Sequence, residues 1–186
     1  MRTLLYTALI VAANGLGGAA TAQDTAAAEA LKAGDMKKMV LGDPTPVSDV
    51  AITTPDGEEK TLADWRGKTV LLNLWATWCA PCRTEMPSLD ALNAEMGGDA
   101  FEVVTVATGR NELAGIRKFF DEEGIETLPI LLDPRSALAR DLAVLGLPVS
   151  IVIDPEGREI ARLIGDADWS SDEAKAMLRA LMPGEG

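Results

Sequence analysis

Cys79 and Cys82 are the only cysteines in the 186 residues, and two residues separate them. The segment Trp78–Cys82 (WCAPC) follows an apolar run and precedes a helix-forming stretch, which places Cys79 at the start of a helix. The unpaired N–H groups of a helix N-terminus stabilise a thiolate, so we expect a lowered pKa for Cys79, the thiol that would attack a disulfide. Cys82 lies one turn further on and would resolve the mixed disulfide, while Pro81 stiffens the loop without removing a needed N–H.

Other chemistries for this pair have less support. A structural disulfide usually closes a longer loop, because the stabilisation that it gives grows with loop length. The chain contains no histidine and no third cysteine, which excludes a four-cysteine or histidine-ligated zinc site and a cysteine–histidine catalytic pair. Arg83 stands where covalent haem attachment needs a histidine. We therefore expect a redox-active pair that uses no metal and no cofactor.

Alternating strands and helices must position the pair. Hydrophobic patterns predict strands at residues 50–54, 58–62, 68–75, 101–107, 128–132, 149–153 and 159–164. Helices are predicted at residues 79–96, 111–123, 136–145 and 170–181, the last with a capping box of Ser170 and Glu173. This order predicts an α/β protein with a central mixed sheet flanked by helices.

The residues around the pair resemble a known family. Residues 73–83 (NLWATWCAPCR) are similar to the active-site segment of thioredoxins, and more closely to that of their exported TlpA/ResA-like branch. The sequence Gly146-Leu147-Pro148 corresponds to the cis-proline loop of that fold. The resemblance covers residues 47–182 and implies the thioredoxin fold, with an N-terminal β-hairpin extension and a central α/β insertion. It also implies a cis Pro148 beside the pair and backbone hydrogen bonds from Leu147 to an extended client segment.

Two positions differ from cytoplasmic thioredoxins. Asn73 stands where those proteins carry a buried aspartate, and Glu85 matches an acidic residue of the ResA-like branch. A partly buried Glu85 would have a raised pKa and could exchange a proton with the thiols; an exposed Glu85 on the helix surface is the alternative. Trp78 could shield the disulfide or stack on a client, but core packing is the default expectation for both Trp75 and Trp78.

The resemblance also suggests clients and an electron donor. Residues 144–150 lack the Tyr and Glu that cytochrome c maturation reductases carry at this point, which favours a TlpA-like reductase of copper-handling proteins in cytochrome oxidase assembly. A cytochrome c maturation (CcmG/ResA-like) reductase and a non-catalytic thioredoxin-fold binding module are the alternatives. The electron donor would be a membrane thiol transporter of the CcdA type. We expect a monomer, and a net charge of −12 makes nucleic acid an improbable partner.

The N-terminus has the features of a targeting segment. Arg2 precedes an apolar run at residues 3–13, and residues 20–22 (ATA) fit a small-x-small cleavage site. The run falls short of the about 20 residues that span a membrane comfortably. We therefore expect a cleaved export signal over residues 1–22, with an uncleaved inner-membrane anchor as the alternative. Both place the chain in the periplasm, an oxidising compartment, with a linker over 23–46 and a thioredoxin-like domain over 47–184.

Overall fold

The structure is a computed structural model that describes residues 26–184. Within these residues, the strands form one eight-stranded sheet in the order β1-β8-β7-β4-β5-β6-β2-β3. The strands are β1 (Val40–Pro46), β2 (Ile52–Thr53), β3 (Glu59–Lys60), β4 (Thr69–Trp75), β5 (Phe101–Thr108), β6 (Leu131–Asp133), β7 (Val149–Ile153) and β8 (Arg158–Ile164). Residues 26–30 are helical, and the longer helical elements are α1 (Ala80–Met96), α2 (Leu113–Glu123), α3 (Ala137–Asp141) and α4 (Asp172–Leu181), with 3₁₀ turns at Gly34–Lys38 and Leu62–Trp65.

Strand β4 lies at the centre of the sheet and leads directly to the cysteine pair. It pairs parallel with β5 and antiparallel with β7, and each of its residues is buried. Alternation sends Leu71 and Trp75 to one face of the sheet and Leu72 and Leu74 to the other, and each face has its own apolar core. Burial on both faces explains why β4 is an apolar run with a single amide side chain, Asn73.

The predicted mixed sheet flanked by helices is confirmed. β2 and β3 form the N-terminal antiparallel hairpin, and β2 also pairs with β6 at the far edge of the sheet. Between β5 and β7 the chain adds β6, which runs parallel to β5, with helices α2 and α3 before and after it. This is the thioredoxin fold with the expected hairpin extension and central α/β insertion.

The prediction of a linker over residues 23–46 is wrong for most of the part that the structure describes. Strand β1 pairs antiparallel with β8 at the edge of the sheet, and Met36 and Met39, which precede it, are buried in the core. Sequence reasoning missed this strand because it contains one glycine and two prolines, which are rare in strands and tolerated at an edge. The domain therefore begins before residue 47.

Two helix boundaries also differ from prediction. The helix predicted over 136–145 spans only Ala137–Asp141, because the chain turns at Ala143, which has a left-handed φ of 53°. The last helix begins one residue later than predicted. Ser171 is its N-cap and accepts a hydrogen bond from a backbone N–H of the first turn, whereas Ser170 donates its hydroxyl to an aspartate before the helix.

Within residues 26–184, no helix combines the length and apolar character needed to cross a membrane. The predicted leader, residues 1–22, lies outside the described residues.

Candidate active site

The cysteine pair lies where β4 leads into α1. Cys79 is the N-cap residue of α1, and its Sγ accepts a hydrogen bond from the backbone N–H of Cys82 at 3.3 Å. The two cysteines form a disulfide, with their Cα atoms 5.3 Å apart. Cys79 is 6% exposed and Cys82 is 0% exposed. A second thiol or disulfide can therefore reach the pair only through Cys79.

Asn111, from the segment after β5, holds the loop that precedes Cys79. Its Oδ1 accepts hydrogen bonds from the backbone N–H and the hydroxyl of Thr77, at 2.8 and 3.0 Å. Its Nδ2 donates to the carbonyl of Thr108 at 2.9 Å. Asn111 thus ties the cysteine loop to the end of β5. The sequence placed Asn111 at a helix start, and only the fold brings it to Thr77.

Glu85 lies on α1, three residues after Cys82, and is 2% exposed. Its Oε1 accepts a hydrogen bond from Asn73 Nδ2 at 2.8 Å. Its Oε2 accepts from the backbone N–H of Ala167 at 3.2 Å and from Trp169 Nε1 at 3.1 Å. Glu85 is therefore a buried carboxyl with three N–H donors and not an exposed residue on the helix surface.

Burial raises the pKa of Glu85 from 4.5 to about 7, because the charged form loses its hydration. The hydrogen bonds from Asn73, Trp169 and Ala167 act in the opposite direction, and the negative charge of Asp166 adds to the rise. A carboxyl that titrates near neutral pH can take up a proton and give it back under physiological conditions.

Asn73 connects Glu85 to the neighbouring strand. Besides its bond to Glu85, its Nδ2 donates to Ser150 Oγ at 2.9 Å. Asn73 and Ser150 are opposite each other on β4 and β7, so both side chains lie on the face that α1 covers. Asn73 Oδ1 is buried and has no hydrogen-bond partner within residues 26–184.

A groove of about 470 Å³ opens beside Glu85. The 3₁₀ turn before β1, helix α1 and the loop after β8 form its walls, which include Asp35, Ser88, Asp166 and Asp168. Glu85 also lines this groove, although it is only 2% exposed.

The loop before β7 lies at the same end of the sheet as Cys79, since Val149 pairs with Leu74 near the end of β4. Its Leu147–Pro148 peptide bond is cis, and Pro148 is buried with its carbonyl bonded to the N–H of Gly165. The N–H and C=O of Leu147 make no backbone hydrogen bond within residues 26–184. This loop therefore offers one free donor and one free acceptor.

The loop that precedes Cys79 and the loop that precedes β7 each carry an exposed apolar side chain. Trp78 is 67% exposed and Leu145 is 101% exposed. The expectation of core packing is confirmed for Trp75 and wrong for Trp78. We refer to Trp78, Leu145 and the Leu147 backbone as the rim of the site.

Aromatic residues of α2 support the site. The ring of Trp75 lies 5.6 Å from that of Phe119 and 5.9 Å from that of Phe120, centroid to centroid. The guanidinium of Arg83 lies 4.7 Å from the centroid of Phe119. Arg83 follows Cys82 in the sequence, and this cation–π contact fixes its positive charge over the Phe119 ring.

Comparison with known proteins places the chain in a family. The Redoxin family model matches residues 40–178, from the start of β1 into α4. The chain belongs to the Redoxin family. The thiol-disulfide oxidoreductase ResA of Bacillus thuringiensis is 28% identical to this Redoxin-family chain over 149 residues, which cover 80% of the chain and 83% of that protein.

Two solved structures share the fold of this Redoxin-family chain. A thiol:disulfide interchange protein of the thioredoxin family from Chlorobium tepidum gives a TM-score of 0.62 at 26% identity, over 76% of this chain and 99% of that one. The pneumococcal exposed lipoprotein thioredoxin of Streptococcus pneumoniae gives 0.59 at 29% identity, over 72% and 98%. Together with the Cys79–Cys82 disulfide, these relatives identify a thiol–disulfide oxidoreductase of the ResA type.

The residues that the sequence singled out for this Redoxin-family site converge at one end of the sheet, with an exposed Pro81 between the two cysteines. Sequence reasoning missed Ser150 and Trp169, which complete the surroundings of Asn73 and Glu85. A signal existed for Ser150, because it is the one polar residue of the apolar run Val149–Ile153, and a buried polar side chain needs a partner. Within residues 26–184, no cluster of three or more histidine, cysteine, aspartate or glutamate side chains could hold a metal ion.

Proposed function

We propose that this oxidoreductase reduces disulfides of client proteins outside the cytoplasm, with Cys79 and Cys82 as its working dithiol. The observation that carries the proposal is the contrast between the two sulfurs: Cys79 is slightly exposed, whereas Cys82, three residues before Glu85 on α1, is fully buried. Such an arrangement suits a nucleophile that meets clients and a resolving thiol that does not.

The first step is attack by the Cys79 thiolate on one sulfur of the client disulfide. A bond forms between Cys79 Sγ and that sulfur, the client S–S bond breaks, and the other client sulfur leaves as a thiolate that takes a proton from water. The backbone N–H groups at the start of α1, including that of Cys82, stabilise the attacking thiolate.

In the second step Cys82 gives its proton to the carboxylate of Glu85, and the new thiolate attacks Cys79 Sγ. The Cys79–Cys82 disulfide forms, the mixed disulfide breaks, and the second client sulfur leaves as a thiolate that is protonated from water. Two electrons have then passed from the dithiol to the client. Glu85 returns its proton to water through the groove that it lines.

The rim would bind the client. An extended client segment can add to the free N–H and C=O of Leu147 as a further strand, which gives affinity with little sequence preference. Trp78 and Leu145 supply apolar contacts, and Pro81 and the buried Pro148 keep the two loops in fixed positions.

An exported location fits the chemistry and the relatives. The predicted leader over residues 1–22 and the similarity to an exposed lipoprotein thioredoxin both support export. In an oxidising compartment a reductase must be recharged, so we propose a membrane dithiol transporter of the CcdA type as its electron donor. The proposed working form is a monomer, since one chain carries the complete site.

A dithiol-coupled insulin reduction assay tests the activity. We expect turnover by the wild type and none above background by Cys79→Ser. Cys82→Ser should accumulate a mixed disulfide between Cys79 and insulin, because the resolving thiol is gone. No turnover by the wild type and no trapped adduct in Cys82→Ser would instead support a non-catalytic binding module.

For the client we propose copper-handling proteins of cytochrome oxidase assembly, on the basis of residues 144–150, which lack the Tyr and Glu of cytochrome c maturation reductases. The test is a direct competition between an oxidised copper-site cysteine pair and an oxidised haem-attachment peptide of the form Cys-x-x-Cys-His. Faster reduction of the copper-site pair is expected. Faster reduction of the haem-attachment peptide would favour the cytochrome c maturation role.

A further inference from the structure

The two oxygens of Glu85 have partners of different kinds. The partners of Oε2 are the backbone N–H of Ala167 and Nε1 of Trp169. Both groups are donors only, and neither can turn around to accept a proton. The partner of Oε1 is the side-chain amide of Asn73, which presents a donor on one side and an acceptor on the other.

A protonated Glu85 needs an acceptor for its O–H. Oε2 already accepts from two N–H groups, so the proton is expected on Oε1, whose hydrogen-bond partner within residues 26–184 is Asn73. In the structure Asn73 directs Nδ2 at Oε1, the orientation that suits an ionised carboxylate, while its acceptor Oδ1 is buried without a partner within residues 26–184. A half-turn of the amide would place Oδ1 opposite the proton.

Ser150, the other hydrogen-bond partner of the Asn73 amide, is compatible with both orientations of the amide. Asn73 Nδ2 also donates to Ser150 Oγ at 2.9 Å, and a hydroxyl can either accept or donate. After the half-turn, Oδ1 would accept from both Ser150 and Glu85. Either orientation leaves one polar group of the amide without a partner, Oδ1 in one and Nδ2 in the other, so the proton on Glu85 must supply the bond that favours the turned orientation.

We propose that Asn73 and Ser150 form a reversible relay that positions the proton of Glu85: Nδ2 donates to the carboxylate and to Ser150 when Glu85 is ionised, and Oδ1 accepts from both when Glu85 carries a proton on Oε1. Only the use of that proton in resolving the mixed disulfide rests on the proposed function. The half-turn itself is a property of the oxidised protein. Asn73 and Ser150 are positioning residues in this account.

Other charged groups near Glu85 could also affect the orientation of the Asn73 amide as the pH changes. Asp166, from the loop after β8, and Lys38, from the 3₁₀ turn, both interact electrostatically with Glu85. Asp35 pairs with Lys38 at 2.9 Å, and Cys82 on α1 is held in the disulfide. A variant that removes only the titration of Glu85 separates its effect from those of the others.

The experiment is an NMR titration of the Asn73 side-chain amide in the oxidised, isotopically labelled protein, across the midpoint of Glu85. We expect the Asn73 amide resonances and the Glu85 carboxyl carbon to titrate with the same midpoint. The amide protons should show contacts to the Ser150 β-protons at high pH and lose them at low pH. Persistence of those contacts on both sides of the Glu85 midpoint would overturn the proposal.

Glu85→Gln provides the decisive variant. Because the donors at Ala167 and Trp169 demand an oxygen, the Nε2 group of the glutamine must face Asn73 and imitate the protonated carboxyl. The Asn73 amide should then stay in its turned orientation at every pH, with resonances like those of the wild type at low pH. Resonances like those of the wild type at high pH, or continued titration, would contradict the relay.

Two serine variants complete the test and keep it independent of turnover. Ser150→Thr retains a hydroxyl and should retain the Asn73 titration. Ser88→Ala is the matched control, since Ser88 bonds to the backbone of Glu85 and of Trp169 but not to the carboxyl. Loss of the Asn73 titration in Ser88→Ala would point to a general packing effect. Failure of the insulin assay would refute the proposed function and leave these NMR results standing.

Discussion

The surroundings of the two cysteines differ in how completely their polar groups are paired. Around Cys79 the rim exposes Trp78 and Leu145, and the backbone of Leu147 is free to bond. Near Cys82 the carboxyl of Glu85 is buried and receives three N–H donors. Unpaired groups at the surface can recognise an unfolded or extended client, whereas a buried carboxyl with N–H donors on both oxygens is suited to hold a proton. The proposed sites of client binding and of proton exchange are therefore separated by about two turns of one helix, from Cys79 to Glu85.

The largest expected effect is on the second chemical step, in which Cys82 resolves the mixed disulfide. Glu85→Gln removes the proton acceptor of Cys82 and leaves the rim unchanged, so we expect resolution of the mixed disulfide to slow by about 10²-fold. Rapid-quench measurement of the mixed disulfide separates this step from the first attack, whose rate should stay near the wild-type value. Equal slowing of both steps would show that the buried region also acts on Cys79.

The buried carboxyl should also make stability depend on pH. The pKa of Glu85 is 4.5 when the chain is unfolded and about 7 when folded, so the folded state binds the proton more tightly. The stabilisation is fully present below the lower value and is lost as pH rises through the upper one. At about 1.4 kcal/mol per pH unit, the free energy of unfolding of the oxidised protein should fall by about 3 kcal/mol over this range.

Chemical denaturation across this pH range measures that fall. It should be absent in Glu85→Gln and retained in Glu122→Gln, which changes an exposed carboxyl on α2. A fall of equal size in Glu85→Gln would assign the effect to other groups.

A smaller effect is expected at the rim. Replacing both Trp78 and Leu145 by alanine removes exposed apolar surface, so KM for a protein client should rise by about 10-fold while the free energy of unfolding stays unchanged. Val40→Ala, on edge strand β1, is the matched control because Val40 is similarly exposed and belongs to another region. If the control raises KM equally, client binding is not confined to the rim.

The smallest effect is expected where the two regions join. Asn111→Ala removes the acceptor for Thr77, which should lower the free energy of unfolding by about 1–2 kcal/mol and slow client attack only a few-fold. Asn111→Asp keeps the acceptor oxygen and should retain the wild-type rate. Equal losses in the two variants would mean that the bond to Thr108, and not the bond to Thr77, is the important one.

The centre of the fold was easier to predict from the sequence than its edges. Strand β4 and helix α1 were predictable because a long apolar run and a cysteine motif mark them, and the position of Cys79 at the helix start followed from both. Strand β1 was missed because its prolines conceal an edge strand. Its position depends on pairing with β8, more than a hundred residues further along the chain.

The candidate site, like the fold, was predicted from the sequence only in part. The cysteines, Glu85 and Pro148 could be identified from local motifs and a family resemblance. The surroundings of Glu85 could not, because only the packing of α1 against β7 and the loop after β8 brings Trp169 to its carboxyl and Ser150 to its partner Asn73. Trp78 was expected in the core from the average behaviour of tryptophan, and its exposure at the rim follows from its place in a loop between β4 and α1.

The reduction potential of the Cys79–Cys82 pair tests most directly whether this oxidoreductase donates electrons to its clients. Equilibration with a dithiol–disulfide buffer, followed by mass analysis of alkylated protein, gives the value directly. We expect a potential close to that of thioredoxin, about −270 mV. A potential near about −120 mV, typical of a strong disulfide-forming oxidant, would contradict it.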